Sequence, residues 1–560
     1  MAYLESKRTK ITGDIYTMTL KPNSTLFHSN SLGGLLFVIS LATLFISYTL
    51  PIGFITGNSS YWLSQHDDIT QYLAGFNAYF NEDWHFPLFK IDSFNYPIGT
   101  RSTFVDIIPI YSLLLKLILP KSLFGINPFG YYIALCFIAQ GISAWLILRV
   151  LNINSYLALL ILSTFFILSA SFLARLGHIS LMSHFIILLS FALYIRAKKT
   201  PYQPFLWTAL LTVAFYINIY LFTMSLTIFF ATIVTNLKRL QLKQNLTQFF
   251  TPLLLIALTS YLTIFPLPSG EFAQDFGWGY YSMNLLAPFY GGAFISIPNA
   301  EMPGQYEGFN YLGLGLIFLL IYAIYLQRKH DRGFFTRHRY IFILFILFFI
   351  YSLSYKIYFG TFKIASIHYP SLLDSLVHQF RASGRFFWPV GYAVAIFSVV
   401  MVLRHTNSKK AAFILLLTLL LQVADLRQRV SLFIQTTNRV SPTHINFQNL
   451  KKAIGQEKKH IYFYPKFRCS KLPPHNTILP TMLYASQNSM TINTGYIARY
   501  QPDCNDTKKE ISASSLKNSI YIFAKDEFTQ EQIDNFFDKQ LSITCSQIDL
   551  LTICKEEKAK

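Results

Sequence analysis

Apolar residues in this chain run in blocks of roughly the 17–25 residues that a helix needs to cross a bilayer core. The first block begins near Leu35, and later ones lie at 129–149, 155–173, 180–196, 205–219, 220–236, 248–267, 311–326, 340–355, 387–403 and 411–426. The pattern predicts a polytopic α-helical membrane protein with about eleven transmembrane helices. The first block is too long for a signal peptide and lacks a small-residue cleavage site, so it reads as a retained span. The shorter apolar run Ile107–Leu119 reads as an interfacial segment that does not cross. From about Asp425 the pattern becomes mixed and polar, with β-like runs at His460–Tyr464 and Ser519–Phe523 and a helix expected over Thr529–Asp538. The expected organisation is a transmembrane domain over 1–426, with large outward loops at 54–128 and 268–308, followed by a soluble α/β domain over 427–560.

Composition sharpens this picture. Hydrophobic residues make up 52% of the 560-residue chain and charged residues only 13%, about half the charged share of a soluble protein. The net charge of +20 would suggest nucleic acid in a soluble chain. Here the basic residues sit in short segments between apolar blocks, which points to topology and excludes a nucleic-acid partner. Basic clusters occur at Arg196/Lys198/Lys199, Lys238/Arg239/Lys243, Arg328/Lys329/Arg332/Arg337/Arg339 and Arg404/Lys409/Lys410, whereas 268–308 contains no Lys or Arg. With Lys7, Arg8, Lys10 and Lys21 ahead of the first block, the N-terminus is expected in the cytoplasm. An odd number of spans then puts the C-terminal domain on the outer face. Four of the five cysteines fall in that domain: Cys469, Cys504, Cys545 and Cys554. An even number in an exported domain favours two disulfides, and proximity in sequence favours Cys469–Cys504 and Cys545–Cys554 among three connectivities.

Candidate chemistry gathers in the outward segments. Asp67 and Asp68 follow the first span, where partial desolvation raises a carboxylate's pKa and makes it a usable general base; the alternative is that one of them caps a helix beginning at Ile69. Arg175, His178 and His184 lie in a short outward connection near membrane depth, where ionisable groups are costly and therefore functional candidates. Arg381 and Arg385 are four apart, which on a helix places two phosphate-binding guanidinium forks on one face; the alternative is interfacial anchoring. Asn284, Tyr306 and Glu307 belong to a glycine- and aromatic-rich loop of the kind that suits a sugar. GxxxxGK[ST], HExxH and GxSxG are absent, arguing against ATP-driven transport, a zinc protease and a serine hydrolase.

The strings "DDITQY", "DWHFPL", "NYPIG", "VDIIP", "RLGHISLMSH", "GQYEGFNYLGLG" and "FRASGRFFWP" resemble a bacterial family of GT-C-like membrane proteins known only as a domain of unknown function. The layout is similar to the GT-C class of membrane glycosyltransferases. This resemblance implies an inverting transferase at the periplasmic face of the inner membrane, moving a sugar from a polyprenyl-phosphate donor to a hydroxyl of a glycan, lipid or exported protein. It implies Asp68 as the base, with Asp67 second, and Arg381 and Arg385 as phosphate ligands supported by Arg175 and His178. Asp106 and Glu307 would orient hydroxyls. No cofactor is required by this chemistry, and a divalent metal is possible without being predicted. The chain lacks the WWDYG string of oligosaccharyltransferases, which favours transfer of a single sugar. The competing expectations are a carrier or flippase for lipid-linked glycans, a polysaccharide polymerase, or a non-catalytic scaffold.

Overall fold

The computed structural model describes residues 29, 31–65, 67–298, 300–455, 457–471, 473–537 and 543–556. The basic N-terminal residues Lys7, Arg8, Lys10 and Lys21 lie outside the described residues. Among the described residues, seven helices are long and apolar enough to cross a membrane: Leu32–Thr49, Phe129–Val150, Tyr156–Leu173, Ile179–Arg196, Ile219–Arg239, Leu242–Thr263 and Ser383–His405. The expected blocks 205–219 and 340–355 form the shorter apolar helices Pro204–Ile217 and Arg339–Leu353. Those at 311–326 and 411–426 fall on the helices Leu314–His330 and Ser408–Thr437.

Local signals set the helix ends. The Asn218 side chain accepts from the Tyr220 amide and starts the Ile219–Asn236 helix, dividing one long apolar stretch into two elements. Ser155 and Asn407 cap the Tyr156–Ile167 and Ser408–Thr437 helices in the same way. The Phe129–Val150 helix packs against Leu32–Thr49, Tyr156–Ile167 and Phe185–Arg196 at the centre of the bundle. Leu254, Leu258, Leu262, Ile346 and Ile350 are exposed on outer helices. An apolar exterior around an apolar core is what a bilayer solvates.

Between the first two candidate spans, the Asp67–Asn81 helix is followed by a two-stranded ladder of Lys90–Ile91 with Thr100–Arg101. The Ile107–Leu119 run forms the helix Pro109–Ile118, only 10 residues long and too short to cross a bilayer. The C-terminal region is built on a five-stranded mixed sheet. His460–Tyr464 pairs in parallel with Thr491–Ile492 on one side and with Ser519–Ala524 on the other. Leu551–Glu556 and Ile543–Ile548 extend the sheet in antiparallel fashion. The expected Thr529–Asp538 helix is confined to Gln530–Asp534, started by a capping box from Thr529 to Gln532. Disulfides join Cys469 to Cys504 and Cys545 to Cys554.

This region packs onto the membrane-proximal part. Its helix Ile478–Gln487 lies against Asp67–Asn81, and Tyr500–Gln501 pairs with Glu271–Phe272 of the Lys/Arg-free loop. Asp275 of that loop meets Arg468 at 2.5 Å and Arg499 at 3.4 Å.

Candidate functional site

Carboxylates and cations from four distant segments converge beside the ends of the apolar helices. Asp68 lies in the first turn of Asp67–Asn81, which begins two residues before the expected start at Ile69. Its Oδ2 is 3.1 Å from His178 Nδ1, and the other ring nitrogen, Nε2, is 3.2 Å from Glu307 Oε1. The second Glu307 oxygen accepts from Arg175 Nη1 at 2.5 Å and from Arg385 Nε and Nη2 at 3.0 and 2.9 Å. Glu307 is therefore a hub for three cations. Its side chain is 5% exposed, whereas that of Asp68 retains 26%.

Electrostatics follow from this arrangement. Burial would raise the Glu307 pKa, but Arg385, Arg175 and His178 hold it well below the usual carboxylate range. Burial would lower the His178 pKa, yet hydrogen bonds to Asp68 and Glu307 outweigh it and raise it to about 9. At neutral pH the line Asp68–His178–Glu307 is thus a cation between two carboxylates.

Glycine makes the hub possible. Glu307 sits in the turn Gln305–Gly308 and Arg385 in the turn Ser383–Phe387. A Cβ on Gly384 would collide with the backbone of Gly308, and one on Gly308 with the backbone of Ser282 and Met283. The Asn310 amide clamps the pair, donating to the carbonyls of Gly308 and Gly384 at 2.9 Å each.

A third carboxylate lies in the same electrostatic neighbourhood. Asp106 accepts from the Tyr72 hydroxyl at 2.8 Å and from Ser180 Oγ at 3.1 Å, and Asn218 donates to that Ser180 oxygen at 3.0 Å. Burial raises its pKa despite the Tyr72 bond and the His178 charge, and the nearby Asp68 adds to the rise. Asp106 (φ 54°) and Ile108 (φ 55°) both adopt left-handed backbone, costly for a β-branched residue and concentrated here at a carboxylate.

The remaining sequence candidates divide. Arg381 and Arg385 do not share a helical face: the Asp374–Gln379 helix ends before Arg381, and Arg385 belongs to the following 3-10 turn. The break frees the two guanidinium groups to do different things. Arg381 donates to the Phe276 carbonyl at 2.5 Å and lies over Tyr281, while Arg385 lies over Tyr220 and is committed to Glu307. Asn284 is a buried loop brace, bonded to Gln305 and Gly360. Tyr306 exposes its ring and gives its carbonyl to Arg175. His184 lies apart from the hub, bonded to Tyr392 at 2.8 Å and packed 4.2 Å from the Trp388 ring centre. The Asp67 side chain lies outside the described residues. Tyr72, Ser180, Asn218 and Tyr220 were not candidates in the sequence. Only Asn218 carried a signal, as a lone amide dividing an apolar stretch.

Glu82, His85 and Asp92 bring potential metal-binding atoms within 4.8 Å of one another. Two of the three are already engaged, since Lys90 meets Asp92 at 2.9 Å and Glu82 accepts the amides of Asp92 and Ser93, while the buried His85 Nε2 has no hydrogen-bond partner among the described residues.

Residues 39–427 match the family described as Domain of unknown function (DUF6311), and residues 450–556 match the DUF6311 C-terminal domain. The chain belongs to the DUF6311 family. The first match contains every residue of the hub, and the second covers the five-stranded sheet of this DUF6311 protein. No curated protein matches the chain.

Proposed function

We propose that this DUF6311 protein is an inverting glycosyltransferase that uses a polyprenyl-phosphate sugar at the outer face of a bacterial inner membrane. The observation that carries the reading is the convergence of Asp68 with His178, Glu307, Arg175 and Arg385 at the mouth of the apolar bundle. A lipid-borne donor would reach such a place along the bilayer, and its sugar would emerge at the membrane surface.

In this mechanism the acceptor hydroxyl oxygen bonds to the anomeric carbon as the bond from that carbon to the phosphate oxygen breaks. The electron pair leaves with the lipid phosphate, and Asp68 takes the hydroxyl proton. Asp68 suits the base because its side chain keeps open surface while His178, 3.1 Å away, orients it. Arg381, whose partners among the described residues are the Phe276 carbonyl and the Tyr281 ring, is the cation best placed to take the phosphate. Arg175 and Arg385 supply positive potential through Glu307. Asp106 orients an incoming hydroxyl. This reading carries with it eleven spans, a cytoplasmic N-terminus and an exported C-terminal domain.

The test is mass spectrometry of surface glycans, lipids and exported glycoproteins from a deletion strain complemented with wild type or with Asp68→Asn at matched membrane levels. One defined sugar mass should disappear in the deletion and return with wild type only. Full restoration by Asp68→Asn would remove Asp68 as the base, and an unchanged glycan profile in the deletion would overturn the transferase.

A further inference from the structure

A second concentration of charge lies at the other end of the Ile179–Arg196 helix from the hub residue His178. A cavity of about 550 Å³ is lined by Lys198, Arg239, Thr336, Arg337, Arg339 and Tyr340, among others, with no carboxylate in its wall. It forms where the apolar helices Phe185–Arg196 and Ile219–Asn236 end, beside the short helix Phe334–Arg337 and the start of Arg339–Leu353. Such a position is at the depth of lipid headgroups.

The cations here are under-compensated. Asp331 pairs with Arg337 at 2.6 Å, but among the described residues Lys198, Arg239 and Arg339 have no carboxylate within ion-pair distance. Their polar contacts go to neutral groups: Lys198 to the Arg337 carbonyl, Arg239 to the carbonyls of Ala197 and Lys198, and Arg339 to the Tyr340 hydroxyl. Burial, then the charges of Arg239 and Arg337, lower the Lys198 pKa, and burial with Lys198 and Arg337 lowers that of neighbouring His338 to about 4. Like charges held this close are stabilised by an anion between them. The rim supplies the other half of a lipid's chemistry, since Val234, Leu237 and Phe335 expose apolar side chains next to the cationic lining.

We propose that this cavity binds the phosphate of an anionic glycerophospholipid, with Lys198 and Arg339 taking the phosphate oxygens and the acyl chains lying over Val234, Leu237 and Phe335. The site is independent of the transfer reaction proposed above and of which face of the membrane it occupies. Basic pockets between membrane helices recognise such headgroups through charge and depth together.

The test is lipid binding to the purified full chain in neutral detergent, measured by native mass spectrometry with phosphatidylglycerol, phosphatidylethanolamine and inorganic phosphate. Phosphatidylglycerol should bind saturably and at least tenfold more tightly than phosphatidylethanolamine. That preference should fall at least tenfold in Lys198→Gln/Arg339→Gln and survive in Lys198→Arg/Arg339→Lys, which keeps the charge and reports on folding. Equal binding of the two lipids, or an unchanged preference in the neutral variant, would overturn the site. Displacement of phosphatidylglycerol by an equal concentration of inorganic phosphate would overturn the lipid as the source of the phosphate.

Discussion

Glu307 is a carboxylate that three cations share, so its loss would be felt more than that of any one partner. Arg175 and Glu307 are 4% and 5% exposed at their side chains, and removing one member of a buried charged set leaves the rest uncompensated, at a cost of about 3–5 kcal/mol. Glu307→Gln keeps the shape and removes the charge. It should therefore lower the thermal unfolding midpoint of the purified protein far more than Tyr306→Phe next to it; equal midpoints would show that the hub is not holding the turn. His178 gives the site a pH dependence with a definite sign. Its pKa is raised from an ordinary value of 6.5 to about 9, so its contribution to stability is fully present below pH 6.5 and is lost as pH rises through about 9. Glu307, whose pKa is depressed, adds no slope in that window, because its contribution is lost only in acid. Wild type should lose more thermal stability between pH 6 and pH 9.5 than His178→Gln does. Parallel pH profiles would mean that the imidazole is not charged between Asp68 and Glu307.

The turns that carry Glu307 and Arg385 are joined through bare backbone, and this contact is an element-scale device. Gly384→Ala would push the Ser383–Phe387 turn away from Gly308, separating Arg385 from Glu307 without touching either side chain. The expected result is a protein that still inserts in membranes but loses at least a hundredfold of the transfer proposed above, about 2.7 kcal/mol in barrier. Loss with the spans intact would be checked by comparing product formation with protease protection of the loops; full activity would show that the turns need not touch. At this scale the apolar periodicity was informative, because length and hydropathy constrain a membrane-crossing helix on their own. The strands His460–Tyr464 and Ser519–Ala524 were legible for a similar reason, being compact runs of apolar and aromatic residues. The arrangement of Arg381 and Arg385 was not. Four-residue spacing implies a shared face only if the helix continues, and here it ends at Gln379, before Arg381, with Arg385 in a separate 3-10 turn whose Gly384 meets Gly308 from another segment. The same holds for Asp106, which the family resemblance singled out, while its partners Tyr72 and Ser180, and the Asn218 that donates to Ser180, come from three other segments.

For the whole molecule, the C-terminal region is a brace for the hub. Gln71, one turn along from Asp68, donates to the Tyr496 carbonyl at 2.7 Å, and Gln65 both donates to Ile445 and accepts its amide. The Ile478–Gln487 helix packs on the helix that carries Asp68, burying Ile478, Leu479 and Met482 in one cluster with Ala74, Ala78 and Tyr79. Asp275 fastens the other side, facing Arg468 and Arg499, so the region is held at two places on opposite flanks of the site. If this brace positions Asp68, loosening the remote flank should be felt at the Asp67–Asn81 helix. Asp275→Asn removes the charge that both arginines face, a change worth about 1.5–3 kcal/mol for hydrogen bonds to a charged group. Hydrogen exchange in Ile478–Gln487 and Asp67–Asn81 should then accelerate together by about tenfold or more, since 1.4 kcal/mol corresponds to a factor of ten. Exchange in Phe129–Val150, at the centre of the bundle, should not change. Acceleration confined to residues 268–280 would mean that the ion pairs tether only their own loop, and the Asp68 helix would then owe its position to the bundle and not to the C-terminal region.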